Sequence, residues 1–172
     1  MKLRAICFDF GDTLADEATE EKDAAGVTLR AELIPGAAEL VRELKRRGYS
    51  LALVADGFPG TYRNVLTQHA IYDCFDAFAI SEEIGVCKPD ARMFTHALAL
   101  LGIPPSEYAR TAMVGNHLER DIKGANQLGI CSVWIDWAPR RAKIPADELE
   151  QPRYTIRMPH ELLTVLEAIE QG

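Results

Sequence analysis

Residues 5–14 read Ala-Ile-Cys-Phe-Asp-Phe-Gly-Asp-Thr-Leu, and this stretch decides the fold. An apolar run ends at Asp9, and the chain then breaks into Gly11, Asp12 and Thr13. Such a pattern is typical of a buried strand that carries a carboxylate at its carboxyl end. In an open α/β sheet, ligands bind at that end of the strands. Asp9 is therefore the first candidate for a functional side chain.

The rest of the chain alternates short apolar runs with helical patterns. The periodicity predicts helices over 36–47, 60–69, 90–101 and 119–128 and a last one opened by Pro159, with strands over 50–55, 77–80, 112–114 and 131–135. Repeated strand–helix–strand units predict a parallel sheet covered on both faces. The expected fold class is α/β: a three-layer sandwich built on a Rossmann-like sheet.

Length and composition narrow the possible classes of protein. The 172 residues are 48% hydrophobic, which suits a single domain over 1–172. A net charge of −7 argues against a nucleic-acid partner. The sequence has neither a long apolar run nor a signal-peptide pattern, so no membrane association is expected. Four cysteines without metal-type spacing indicate free thiols in the cytoplasm.

Two segments fall outside the alternation of strands and helices. Residues 15–26 are rich in acids and have no apolar face, which indicates a solvated flap. Residues 136–153 begin at the carboxyl end of a predicted strand, so they either border the site or form an ordinary surface loop. Trp137, Arg140 and Arg141 are the side chains of this loop to expect at the entrance of a site.

Four segments, in order, resemble the motifs of the haloacid dehalogenase (HAD) superfamily. They are Asp9-Phe-Gly-Asp-Thr-Leu, Leu53-Val-Ala-Asp-Gly, Gly85-Val-Cys-Lys-Pro-Asp and Val114-Gly-Asn-His-Leu-Glu-Arg-Asp. Each motif is weak by itself, but each follows a predicted strand or opens a predicted helix, and their conjunction is specific. The resemblance implies a HAD-like fold across most of the chain.

The resemblance also implies a reaction and a set of roles. Asp9 would attack a phosphoryl group and form an aspartyl-phosphate, while Lys88 would neutralise negative charge. The phosphate would lie against residues Ala55, Asp56 and Gly57 and the Lys88 ammonium. Mg²⁺ would take oxygen ligands from Asp9, the carbonyl of Gly11, Asn116 and Asp121. The expected partner is a phosphorylated substrate.

Three positions depart from the superfamily pattern. Gly11 stands where phosphatases carry a second Asp, which acts as an acid and base on the leaving group and on water. Ala55 lacks the usual hydroxyl, and Asn116 replaces an Asp. The substitute acid is expected among Asp12, His117 and Glu119, with His117 favoured because imidazole titrates near neutrality.

The spacing of the motifs leaves little room for a cap domain. Residues 15–34 provide a short flap in place of a cap, and residues 58–84 are used by a helix, a strand and their loops. An open site cannot by itself exclude water from a small substrate. The substrate is therefore expected to be large, or a neighbouring subunit in a homo-oligomer to act as the lid.

These observations support three functions. The first is a Mg²⁺-dependent phosphatase that uses Asp9, with impaired or altered acid–base chemistry. The second is a weak or inactive pseudoenzyme that binds a metal, a phosphorylated ligand or a protein partner, as the lost groups at positions 11, 55 and 116 suggest. The third is a dehalogenase, which also lacks the second Asp but needs a cap and a second-motif Ser.

Overall fold

The computed structural model describes residues 2–171. Within that range the strands are β1 (Ala5–Phe8), β2 (Glu21–Lys22), β3 (Thr28–Arg30), β4 (Ser50–Ala55), β5 (Ala77–Ile80), β6 (Thr111–Gly115), β7 (Cys131–Ile135) and β8 (Tyr154–Ile156). The α-helices are α1 (Ala37–Arg46), α2 (Pro59–Gln68), α3 (Ser81–Ile84), α4 (Ala91–Leu100), α5 (Lys123–Gln127) and α6 (Leu162–Gln171).

Six of the strands form one parallel sheet in the order β5-β4-β1-β6-β7-β8. The chain fills one side of β1 with β4 and β5, then crosses to the other side with β6, β7 and β8. The strand order therefore reverses next to β1, and a crevice for ligands opens at such a switch point, outside the carboxyl ends of the strands. Asp9 follows β1 directly, and its N–H continues the ladder to the carbonyl of Val114 at 2.9 Å.

Helices cover both faces of this sheet, which confirms the predicted three-layer α/β sandwich. Alternate residues of β1 serve opposite faces, because side chains in a strand alternate. Ile6 and Phe8 join the cluster under α1, α2 and α6, whereas Ala5 and Cys7 join the cluster under α4 and α5. Burial on both faces explains why the strands read as unbroken apolar runs.

Most predicted elements are present with small shifts at their ends. The strands predicted over 50–55, 77–80 and 131–135 match β4, β5 and β7. The helix predicted over 119–128 instead begins with a π-type turn, Leu118–Ile122, in which two successive N–H groups share the His117 carbonyl. The periodicity missed β8, because three residues with a single buried side chain give no readable pattern.

The acid-rich segment is more ordered than its composition predicted. Residues 15–34, here called the flap, contain a 3₁₀ turn (Glu17–Thr19) and the antiparallel β2–β3 hairpin. Helix α2 anchors the hairpin at buried Thr28, whose N–H donates to Thr61 Oγ1 at 3.0 Å and whose carbonyl accepts from Asn64 Nδ2 at 3.0 Å. Residues 21–26 are exposed, as expected of a solvated flap, but contacts of Thr28 with partners that are distant in the sequence give the segment its order.

Two general features of the described residues complete the fold. The cysteines at positions 7, 74, 87 and 131 are all free thiols. None of the helices within residues 2–171 has both the length and the apolar character needed to cross a membrane.

Gly124 provides a test of the packing between α4 and α5. A β-carbon at this position would overlap the ring of the fully buried Phe94. Overpacking of this kind typically costs about 1–3 kcal/mol, which outweighs the gain of up to ~1 kcal/mol from replacing Gly within a helix. Gly124→Ala is therefore expected to lower the urea midpoint of unfolding, and Phe94→Leu in the same chain should restore part of it. Gln127→Ala, at an exposed position of α5, is the matched control and should change little; an equal midpoint for both single variants would contradict the close contact.

Candidate active site

A buried lysine joins the carboxyl ends of neighbouring strands. Lys88 Nζ lies 2.6 Å from Asp9 Oδ1, 2.7 Å from Asp121 Oδ1 and 2.8 Å from the carbonyl oxygen of Val54. Its side chain is only 2% exposed. Burial alone would lower the pKa of Lys88, but the carboxylates of Asp121 and Asp9 outweigh that effect and raise it. The lysine is therefore held as a cation beside the candidate nucleophile.

Asp121 has the least solvated carboxyl group of this cluster. Burial raises its pKa, and the neighbouring Asp9 carboxylate raises it further, against the opposing effect of Lys88. The physical reason is that one ammonium cannot compensate two buried carboxylates at once. Its second oxygen accepts the His117 N–H at 2.9 Å. A β-carbon on Gly115 would overlap the Asp121 carboxyl group, so the glycine at the end of β6 makes room for it.

The oxygen donors around this cluster fit a hard divalent cation. Within residues 2–171 no set of three or more His, Cys, Asp and Glu side chains has the geometry of a metal site. The candidate set is different: it combines the carboxylates of Asp9 and Asp121 with the amide of Asn116. Both polar atoms of the Asn116 side chain are buried without a hydrogen-bond partner among the described residues. A buried amide in that state indicates a missing ligand, and its oxygen suits Mg²⁺.

The candidate phosphate-binding turn after β4 is partly engaged by the protein itself. The Gly57 N–H donates to Ser81 Oγ at 2.9 Å. Asp56 Oδ1 accepts the Lys88 N–H at 3.0 Å, and its other oxygen lies 3.7 Å from an Arg120 nitrogen, so this carboxylate is paired. Ala55 contributes no polar side chain, but a β-carbon on Gly57 would lie 2.6 Å from the Tyr62 hydroxyl. Tyr62 therefore brings to this turn the hydroxyl group that the side chain of Ala55 lacks.

Asp12 is fully buried, and both of its carboxylate oxygens are engaged by the protein itself. Its two oxygens are bonded to the guanidinium groups of Arg140 and Arg141, at 3.1 Å for Arg141 Nε, and one also accepts the Glu17 N–H at 3.3 Å. Its backbone has φ of 52°, a left-handed conformation that Asp tolerates better than most residues. The arginines of the 136–153 loop thus bind the root of the flap, although no residue of this loop lines the cavity described below.

Glu17 occupies the space where a side chain at position 11 would stand. A β-carbon on Gly11 would lie 2.7 Å from both Cγ and Cδ of Glu17, with a carboxylate oxygen closer still. The φ of Gly11 lies outside the left-handed range, so its backbone tolerates other residues. Glu17 is also paired with Arg141. Burial raises the pKa of Glu17, Arg141 opposes the shift, and the carboxylates of Asp12 and Asp9 add to it.

These groups surround a cavity of about 280 Å³ at the carboxyl ends of β1 and β4. Of the residues predicted from the sequence, Asp9, Gly11, Asp56, Gly57, Lys88 and His117 line it. Asp121 contacts the Lys88 ammonium but does not line the cavity. The cavity wall also excludes Asn116, Ala55, Trp137, Arg140 and Arg141. Residues that the sequence analysis missed include Glu17, Glu20, Lys22, Tyr62 and Arg120.

His117 and Glu119 differ in their access to the cavity. His117 lines it with a side chain that is 22% exposed, and burial lowers the pKa of its imidazole. Glu119 lies outside the cavity wall with 58% of its side chain exposed. Of the three candidate acids proposed from the sequence, only His117 faces the cavity.

The sequence profile of the haloacid dehalogenase-like hydrolases matches residues 17–129, well over half of the chain. The chain belongs to this family of hydrolases. The matched range includes Lys88, Asn116 and Asp121 and begins after Asp9.

Curated relatives of this HAD-like hydrolase are phosphatases. Phosphoserine phosphatase from Thermus thermophilus is 38% identical over 107 residues, which cover 62% of this chain and 42% of that protein. Glyceraldehyde 3-phosphate phosphatase from Pyrococcus furiosus is 32% identical over 134 residues, which cover 78% of this chain and 54% of that protein. Pyrimidine 5′-nucleotidase from Escherichia coli is 32% identical over 133 residues, with 77% and 56% covered. The chain spans about half the length of these relatives.

Solved structures show the same fold. A HAD phosphatase from Thermococcus onnurineus superposes with a TM-score of 0.77 over 95% of this chain and 98% of its own, at 18% identity. A 2-haloacid dehalogenase from Pseudomonas syringae superposes with a TM-score of 0.76 over 97% of this chain and 99% of its own, at 17% identity. At such identities the likeness carries the fold alone, because phosphatases and dehalogenases share it.

Removal of the Lys88 charge tests the electrostatics of this cluster. Lys88→Met leaves two buried carboxylates without their cation, and breaking a buried ion pair in this way typically costs about 3–5 kcal/mol. We expect a loss of that size in urea unfolding. Replacing Asp121 by Asn in the same chain should recover part of it, because one uncompensated charge is removed.

The surface pair of Lys45 and Asp76 provides the control, since both side chains are more than a third exposed. Lys45→Met is expected to change the free energy of unfolding by less than about 1 kcal/mol. A Lys88→Met variant that unfolds like Lys45→Met would contradict the buried cluster.

Proposed function

We propose that this HAD-like hydrolase is a Mg²⁺-dependent phosphomonoester hydrolase with Asp9 as its nucleophile. One observation carries the proposal: Asp9 lies in the cavity wall at the switch point of the sheet, with Lys88 Nζ 2.6 Å from its carboxylate. A buried ammonium at that distance holds the carboxylate in the cavity wall, where it can attack phosphorus. The phosphatase relatives support the same class of reaction.

Other residues orient the Asp9 carboxylate and attract the phosphoryl group. Thr13 Oγ1 donates to the second Asp9 oxygen at 3.2 Å and fixes the orientation of the carboxylate. Lys88 and Arg120 are cations that line the cavity, and Lys22 adds a third from the flap. A dianionic phosphoryl group is attracted to such a set and is positioned against Asp9 by it.

Asp9, Asn116, Asp121 and the Gly11 carbonyl are the proposed ligands of Mg²⁺. When bound, the ion neutralises negative charge that the phosphoryl group brings beside Asp9. Asn116 supplies an oxygen without a charge, so the site holds one negative ligand fewer than the superfamily pattern. Asp121 must then share its carboxylate between the ion and Lys88. Both facts favour binding that is weaker than in relatives with an Asp at this position.

The substrate is proposed as a phosphomonoester whose phosphoryl group enters the cavity. A volume of about 280 Å³ holds that group together with a small alcohol of a few carbon atoms. Larger substrates therefore extend beyond the flap, as expected for a single domain with residues 15–34 in place of a cap. A homo-oligomer and a cytoplasmic location remain part of the proposal.

Turnover of a panel of phosphomonoesters tests this function. With Mg²⁺ present, the full chain should release inorganic phosphate, and Asp9→Asn should abolish the release because an amide is a poor nucleophile. Asp73→Asn, at an exposed position far from the cavity, is the matched control and should match the unchanged protein.

Two other outcomes identify the alternatives. A chain that binds Mg²⁺ but releases no phosphate from any ester is the pseudoenzyme that the lost groups at positions 11, 55 and 116 suggest. Release of halide from a 2-haloacid, without phosphate release, identifies a dehalogenase. Either result would overturn the phosphatase proposal.

The metal site has a separate test by titration calorimetry. Mg²⁺ should bind at millimolar concentrations or below, and Asp9→Asn should weaken the binding. Asn116→Asp should strengthen it, because an added carboxylate raises the affinity for a hard cation. Unchanged affinity in both variants, with Asp73→Asn again as the control, would place the ion elsewhere.

A further inference from the structure

We propose that Glu17 is the general acid and base of this enzyme and supplies from the flap the carboxyl group that Gly11 lacks. The inference rests on the proposed phosphatase function and goes beyond it, because it assigns a role to a residue outside the four motifs. Glu17 lies in the acid-rich segment, in which nothing in the sequence distinguishes it from its acidic neighbours.

Glu17 lies in the space that the side chain of a larger residue at position 11 would fill. Where a residue at position 11 would extend from the backbone, the carboxyl group and Cγ of Glu17 already lie, within 2.7 Å of the β-carbon position. The same carboxyl group lines the cavity together with Asp9. Glu17 thus brings an acid to the place that a longer side chain on Gly11 would reach.

The surroundings hold Glu17 in that place. Asp16 caps the 3₁₀ turn by accepting the Ala18 N–H at 3.0 Å, and the Glu17 N–H donates to Asp12. Arg141 pairs with both Glu17 and Asp12, at 2.9 Å for the latter. These contacts fix the backbone and the side chain of Glu17 on a segment that would otherwise be mobile.

Of the acids predicted from the sequence, Asp12 and Glu119 fit this role less well than Glu17. Asp12 has both oxygens bonded to arginines and lies outside the cavity wall. Glu119 also lies outside the wall. His117 lines the cavity from the end of β6, where its N–H donates to Asp121. It remains the competitor that the experiment must separate from Glu17.

The proposed step balances protons and bonds over two displacements. An Asp9 oxygen forms a bond to phosphorus, the bond from phosphorus to the ester oxygen breaks, and protonated Glu17 gives its proton to that oxygen, which leaves as an alcohol. Water then attacks the aspartyl-phosphate while the Glu17 carboxylate accepts its proton. The bond from phosphorus to Asp9 breaks, inorganic phosphate leaves, and both side chains return to their initial states.

Dependence on the leaving group is the signature of such an acid. A nitrophenolate can leave without being protonated, whereas an alkoxide needs a proton from an acid in order to leave. Glu17→Gln keeps the shape and the hydrogen bonds of the side chain but carries no transferable proton. Its kcat/KM for an alkyl phosphate should fall by about 10²–10⁴-fold, and that for 4-nitrophenyl phosphate should fall much less. The aspartyl-phosphate should accumulate, because its hydrolysis has lost the base.

Two control variants separate this role from a structural one. Glu21→Gln lies on an exposed position of β2 and should leave both values of kcat/KM unchanged. A purely structural role of Glu17 would lower kcat/KM equally for both esters, and His117→Asn would produce the leaving-group effect if the histidine were the acid. Either result would overturn the proposal.

Moving the carboxyl group back to position 11 provides the second measurement. Glu17→Ala empties the space beside Gly11, and Gly11→Asp in that chain should restore part of the lost activity toward the alkyl ester. Gly11→Ala in the same chain fills the space without an acid and should restore none. If Gly11→Asp restores no more activity than Gly11→Ala, the result contradicts the proposal that Glu17 takes the place of a carboxyl group at position 11.

Failure of this proposal differs from failure of the proposed function. If the unchanged chain turns over neither ester, the phosphatase function fails and the role of Glu17 fails with it. If the unchanged chain is active and Glu17→Gln behaves like Glu21→Gln, only the role of Glu17 is wrong.

Discussion

The ion cluster of Lys88 with Asp9 and Asp121 is the interaction on which the rest of the site depends. Its single ammonium contacts groups that follow β1, end β4 and follow β6, so it joins three neighbouring strands at the switch point of the sheet. Such a cluster is a poor source of stability, because desolvation of three charged groups offsets most of their attraction. Its retention in a fully buried position is better explained by the charge that it maintains beside Asp9.

The parts of the molecule that the sequence predicted are those governed by local periodicity or by strand ends. Strands β4, β5 and β7 are continuous apolar runs, and the carboxyl ends of parallel strands must meet, so the order of residues alone brings Asp9 and Asp56 together. Glu17 and Tyr62 reach the cavity only through the flap and through α2. Their positions depend on contacts between distant residues, such as Thr28 with Thr61, which no local pattern encodes.

The cavity is less acidic than the chain as a whole, because its lining sets the cations of Lys22, Lys88 and Arg120 against the carboxylates of Asp9, Glu17, Glu20 and Asp56. A net charge of −7 disfavours polyanionic partners in general. Within the cavity wall, however, Lys88 and Arg120 face the position where a phosphoryl group would lie, and Asp56 is already engaged by Arg120 and the Lys88 N–H. Such pairing lowers the negative charge that a phosphoryl group would meet in the proposed site.

A carboxyl group on the flap is held in place by different contacts from one on the turn after β1. A side chain at position 11 would be fixed by the sheet itself, whereas Glu17 is fixed by Arg141 and by the order of the hairpin. Groups placed on loops lose precision unless neighbouring contacts hold them. The salt bridges from the 136–153 loop to Asp12 and Glu17 meet that need, which gives a physical reason for two adjacent arginines in a loop that otherwise lies outside the cavity wall. Flap, loop and sheet thus act together in the proposed mechanism: the sheet holds Asp9, the proposed nucleophile, and the flap and the loop hold Glu17, the proposed acid.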